Sequence, residues 1–136
     1  MPTSKPRPYP PYLRTLFDEK SAILSKAQSY EIFGPKVGLR DLWLESARRE
    51  EEIAPLLDIL GRELEAAVHR ISAASCYRKA KAWTQAANLF RAALSGPLLE
   101  HTRREVQEYL EECLQELRKL RNKGLGAKKA RKLLPT

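Results

Sequence analysis

Long apolar runs are missing from this chain: none of its 136 residues lies in a stretch approaching the ~18 consecutive apolar residues that a membrane span needs. Glycine is scarce, with six residues, which leaves long stretches rich in Ala, Leu, Glu, Lys and Arg, the residues that lose least on entering a helix. Two cysteines are too few for a secreted disulfide scaffold. Cys76 and Cys113 both fall on apolar helical stripes, where a reduced thiol packs as a small hydrophobe. Two histidines, His69 and His101, are all the imidazole there is. There is no Gly-rich phosphate loop, nucleophile elbow, His-Glu-x-x-His or Cys-x-x-Cys. His69 and Cys76, seven residues apart, share a helix face but cannot chelate a metal alone, and completing a zinc site would need His101 and Cys113 from distant helices. The reading is of a non-enzyme with no cofactor and no metal site.

What is present is helical periodicity and an uneven charge. The 43% hydrophobic and 31% charged residues are the balance of a folded, water-soluble domain. The net charge is +8, yet residues 1–117 hold 17 bases against all 17 acids. The excess lies entirely in Arg118, Lys119, Arg121, Lys123, Lys128, Lys129, Arg131 and Lys132. Residues 1–10 are Pro-rich and contain no apolar core of a secretory signal, so a cytoplasmic location is expected. The organisation read from these shifts is a Pro-rich arm over 1–10, a helical bundle over 11–121 and a basic tail over 122–136.

The fold class is all-α, with about five helices. Leu13, Leu16, Phe17, Ile23, Leu24 and Ala27 recur at helical spacing from Pro11 to Tyr30, and Phe33-Gly34-Pro35 ends that helix. Asp41 is the expected N-cap of a second helix closed or kinked by Pro55, with the Arg48-Arg49-Glu50-Glu51-Glu52 run on a solvated face. Glu51, Glu52 and Asp58 are likewise expected to face solvent. Leu57, Leu60, Leu64, Ala67, Ile71 and Ala74 predict a third helix reaching Lys81 and bent at Gly61. Thr84 caps a short fourth helix with Ala86, Ala87, Phe90, Ala93 and Leu94 on its buried side. Ser95-Gly96-Pro97 separates it from a fifth, whose stripe runs through Val106, Leu110, Cys113, Leu117 and Leu120 and which is expected to end near Asn122 to Gly124.

Within residues 70–98, Ala74, Tyr77, Trp83, Ala86, Phe90 and Ala93 form a small, aromatic, aromatic, small, aromatic, small series. Alanines at a crossing let helix axes approach, and the aromatics supply large buried surfaces. In order and spacing the series resembles one tetratricopeptide hairpin. It departs from that family with Arg70 where Trp is usual, Lys81 where Gly is usual, and Pro97 one residue early. No second copy is visible at the family's period of about 34 residues. The hairpin with the long following helix also resembles the microtubule-interacting-and-trafficking three-helix bundle. Both resemblances imply a binding module. The tetratricopeptide one implies that Val68, Ile71, Ser75, Arg78 and Lys79 carry the partner-facing side, with Arg78 and Lys79 placed to hold an acidic segment or a free C-terminus.

The expected function is therefore non-catalytic: a protein–protein interaction module, as a small adaptor or a subunit of an assembly. The alternative is a nucleic-acid-binding accessory protein using the eight bases of the C-terminal segment against phosphates, without aromatics there for base stacking; the same bases also suit another anionic surface, a membrane or an acidic protein. Partner identity and oligomeric state stay open.

Overall fold

Five helices follow one another: α1 (Pro11–Ile32), α2 (Leu39–Ile59), α3 (Glu63–Lys79), α4 (Trp83–Leu94) and α5 (Glu100–Leu133). The computed structural model describes residues 9–133, with side chains as far as residue 124. Among the described residues there is no strand, as the all-α reading expects, and no helix is long and apolar enough to cross a membrane. The Pro-rich arm lies outside the described residues except for Tyr9 and Pro10.

Each helix packs on its chain neighbour, α1 on α2, α2 on α3, α3 on α4 and α4 on α5. Side chains also tie α1 to α3, through Lys79 Nζ and Glu31 Oε1 at 3.0 Å, and α3 to α5, through Arg78 Nε and Glu112 Oε2 at 2.6 Å. The antiparallel succession brings the α1–α2 loop, the α3–α4 turn and the C-terminal half of α5 to one end of the bundle. The α2–α3 turn and the α4–α5 link lie at the other.

Between α2 and α3 the structure differs from the sequence reading in two places. Pro55 does not close α2 but lies inside it, and Leu57 is the last fully buried residue of that helix. Pro55 and Glu51 are both exposed, so the hydrogen bond that proline cannot make is lost on the solvent side, where water replaces it. Gly61 does not bend a continuous third helix; at φ +76° it is the turn between α2 and α3. Leu60 and Leu64, predicted on a buried stripe, are consequently exposed. The caps move too: Gly38 precedes α2 and Ala82 precedes α4, leaving Asp41 and Thr84 in first turns.

The α3–α4 turn repeats the α2–α3 turn bond for bond. Leu60, Gly61 and Arg62 donate to the carbonyls of Leu56, Asp58 and Leu57, and Ala80, Lys81 and Ala82 donate in the same pattern to Cys76, Arg78 and Tyr77. Behind each turn stands the same alanine set, Ala66, Ala67 and Ala73 on α3 and Ala86, Ala87 and Ala93 on α4, all at most 2% exposed. Helix α3 thus serves as second member of one hairpin and first member of the next, a repeat offset by a single helix.

At the glycine position of the second turn stands Lys81, with φ +60°. A left-handed conformation costs a residue with a Cβ about 1–2 kcal/mol, while glycine's extra unfolded-state freedom returns about 0.5–1 kcal/mol. Lys81→Gly is expected to stabilise the fold by about 0.5–1 kcal/mol, read as a higher urea midpoint at unchanged slope.

The core is divided. A larger cluster joins Ala27, Trp43, Ala47, Ala74, Tyr77, Phe90, Val106 and Cys113. A smaller one joins Leu13, Ile53, Leu57 and Ala66, with Tyr9 and Phe17 packed on it. The Arg103 guanidinium donates to the Leu94 and Gly96 carbonyls at 2.7 and 3.1 Å, satisfying the C-terminal end of α4. Helix α5 does not stop near Asn122 to Gly124 but runs to Leu133, about 50 Å at the α-helical rise. Its Glu112 already lies level with the last turn of α3, and from Arg118 onward its described side chains are exposed. The second half of α5 therefore projects past the body, and the projection begins where the basic segment begins.

Candidate interaction surface

The α1–α2 loop and the α3–α4 turn meet around Trp43, on the first turns of α2. A groove of about 480 Å³ lies over it, lined by Leu39, Trp43 and Ala80, by the bases Lys36, Arg40, Lys79 and Lys81, and by one acid, Glu31. Arg40 Nε donates to the Ala80 carbonyl at 3.0 Å, locking the turn to α2. The Lys79 ammonium stands 4.9 Å from the centre of the Trp43 ring and is also paired with Glu31. A second lobe of about 390 Å³ continues past Glu31 and Trp43 to Ile32 and Gln28. The arrangement offers an apolar floor for one side chain and a predominantly cationic rim for carboxylates.

The five partner-facing residues expected from the sequence are not gathered here. Val68 is exposed, and Ile71 and Ser75 are half-buried. Arg78 is bound to Glu112 and lies 4.8 Å from the Tyr109 ring centre, on the α5 flank of α3. That carboxylate holds the Arg78 guanidinium above its ordinary pKa. Lys79 turns to the α1 flank and into the groove. The two bases thus point to opposite sides of α3, each already facing an acid. Of the basic segment, Arg118 and Lys119 pair with Glu111 and Glu116 of the same helix, and Arg121 and Lys123 are exposed. The side chains of Lys128, Lys129, Arg131 and Lys132 lie outside the described residues.

Compared with protein-family models, curated proteins and solved structures, the chain matches none.

A second polar feature is internal. Glu50 does not lie on a solvated face: it is 1% exposed, on the same side of α2 as Trp43, Ala47, Ile53, Ala54 and Leu57. Its carboxylate accepts from His69 Nδ1 at 2.5 Å and Ser72 Oγ at 3.1 Å, and Lys20 Nζ stands 3.3 Å away. Burial pushes the Glu50 carboxyl up, but His69 and Lys20 outweigh it and hold the group below its ordinary value. The Phe17 ring meets the His69 ring edge-on at 5.0 Å and closes the site from α1. Of the other acids expected to face solvent, Glu51 and Glu52 do so, whereas Asp58 is half-buried and paired with Arg70.

Cys76, one turn beyond Ser72, is buried, and its thiol is pushed up to about 12, chiefly by burial and further by Glu50. A thiol held protonated at neutral pH is a poor nucleophile. Cys76 and Cys113 are both free and buried. Among the described residues no group of three or more His, Cys, Asp or Glu side chains is placed to hold a metal.

Sequence reasoning missed the groove because its rim is drawn from two stretches far apart in the chain, residues 36–40 and 79–81. The single residue it anticipated there is Lys79.

Proposed function

We propose that this chain is a non-catalytic protein–protein interaction module, a small adaptor or assembly subunit, that receives an acidic segment of a partner in the groove over Trp43. The observation that supports this most is the pairing of an aromatic and aliphatic floor with four bases at the rim, in a depression large enough for one anchoring side chain and its neighbours. The helices around it are packed through buried alanines and held at the turn by the Arg40 bond to Ala80, so the groove is preformed and little ordering entropy opposes binding.

The test is binding of the full chain to a fluorescent acidic peptide carrying one central leucine, followed by polarisation. Lys79→Glu is expected to weaken binding at least about tenfold, because it reverses the charge beside the ring and repels the incoming carboxylate. Circular dichroism should stay unchanged, since Lys79 and Glu31 form a surface pair of small worth. Equal affinity of wild type and variant, or no binding by the wild type at low salt, sinks the reading.

A further inference from the structure

The end of α1 and the α1–α2 loop carry exposed apolar side chains of which the groove uses only Ile32, in its second lobe. Ile32, Phe33 and Val37 are 71%, 86% and 87% exposed, three large apolar side chains within one six-residue stretch. Scattered surface hydrophobics are ordinary, but an apolar group concentrated at one tip marks a contact site. The loop backbone that displays them is built. Phe33 and Gly34 donate to the Ser29 and Tyr30 carbonyls at 2.9 and 3.1 Å, and Leu39 donates to Lys36 at 3.3 Å. A Cβ on Gly34 would lie 2.7 Å from the Tyr30 Cα, so the chain folds against the last turn of α1 only with glycine there. Neither Phe33 nor Val37 lines the groove.

We propose that this tip docks on an anionic lipid bilayer, with Phe33 and Val37 entering the headgroup region and the surrounding bases meeting lipid phosphates and carboxylates. The exposure favours a bilayer over a protein partner, because Phe33 and Val37, at the α1–α2 loop, stand out into solvent and line neither lobe of the groove. The charge agrees. Lys36 lies between Phe33 and Val37 in the chain, Arg40 follows in the first turn of α2, Lys81 adjoins from the α3–α4 turn, and α5 leaves the body at this same end carrying exposed Arg121 and Lys123. Glu31, the acid nearest the tip in sequence, is neutralised by Lys79. Each base near an anionic surface strengthens attachment about fivefold, and a short apolar insertion converts that attraction into docking at a defined site.

The experiment is co-sedimentation of the full chain with vesicles of phosphatidylcholine alone and of phosphatidylcholine with phosphatidylserine. The chain is expected to sediment with the phosphatidylserine vesicles, to be released as salt is raised, and to leave phosphatidylcholine vesicles largely unbound. The double variant Phe33→Ser, Val37→Ser is expected to bind the anionic vesicles about tenfold or more weakly. Its urea midpoint and its acidic-peptide affinity should match wild type, since both side chains are exposed and outside the groove. Absence of sedimentation with anionic vesicles at low salt overturns the proposal. So does wild-type vesicle affinity in the double variant, which would assign the attraction to charge alone, and so does retention on RNA without vesicle binding.

Discussion

Replacing Glu50 by alanine is expected to cost about 3–5 kcal/mol, the range for breaking a buried charge pair, and so to remove a large part of the stability of a domain this size. The mechanism is specific. The carboxylate is the common acceptor for His69 on α3, Ser72 on α3 and Lys20 on α1, and it sits between the larger and smaller core clusters. Without it, donors on two helices lose their acceptor in a region where His69 and Lys20 are only 14% and 15% exposed. Thermal unfolding should fall by roughly 10–20 °C. Glu50→Gln keeps the volume and part of the hydrogen bonding, and should lose less.

The same site dictates a pH response. The folded-state pKa of Glu50 is depressed below its ordinary 4.5, so its contribution to stability is fully present above that value and is lost as pH falls through the folded-state value. Wild type should therefore lose stability on acidification below about pH 4.5, and Glu50→Gln should show a shallower acid limb. Urea midpoints at matched ionic strength measure both. An identical acid limb in the two proteins would remove Glu50 from the explanation.

Phe90→Ala is expected to cost about 3–5 kcal/mol as well, for a different reason. Twelve of the 21 buried apolar residues among those described are alanines, so few large side chains fill the space between the helices. Phe90 is 0% exposed, packs in the larger cluster and stacks on Tyr109 of α5 at 5.8 Å between ring centres. Helices already touching through Ala86, Ala87 and Ala93 cannot move closer to fill the void, so cavity cost adds to transfer cost. Phe90→Leu should recover most of the loss. Urea unfolding of the two variants separates the terms, and a cost for Phe90→Ala below about 1 kcal/mol would show that α5 collapses into the space.

How far the site was legible depended on one helix boundary. The stripe Trp43, Ala47, Glu50, Ala54, Leu57 steps by three and four and contains Glu50 openly. Ending the second helix at Pro55 cuts that stripe before Leu57 and leaves Glu50 in what reads as a charged run. Proline's local penalty was overridden because its face of α2 meets water. The repeated turn was equally present in the chain, as Gly61 with Ala66-Ala67 and Ala73 and again as Lys81 with Ala86-Ala87 and Ala93, twenty residues later. It escapes a search at the hairpin period because α3 is shared between the two hairpins, and because a lysine stands where the turn's geometry favours glycine.

By itself the sequence determined the helical class, the number of helices, the alanine-rich hairpin and the neutral body with its basic end. These follow from local propensity, apolar periodicity and charge order, which need only near neighbours. Tertiary structure alone decided the partners: Glu50 with His69, Ser72 and Lys20, Arg78 with Glu112, Lys79 with Glu31 and Trp43, and the rim of bases over the groove. Those pairings depend on which helix faces which, and that is set by packing across the whole bundle rather than by any stretch of chain.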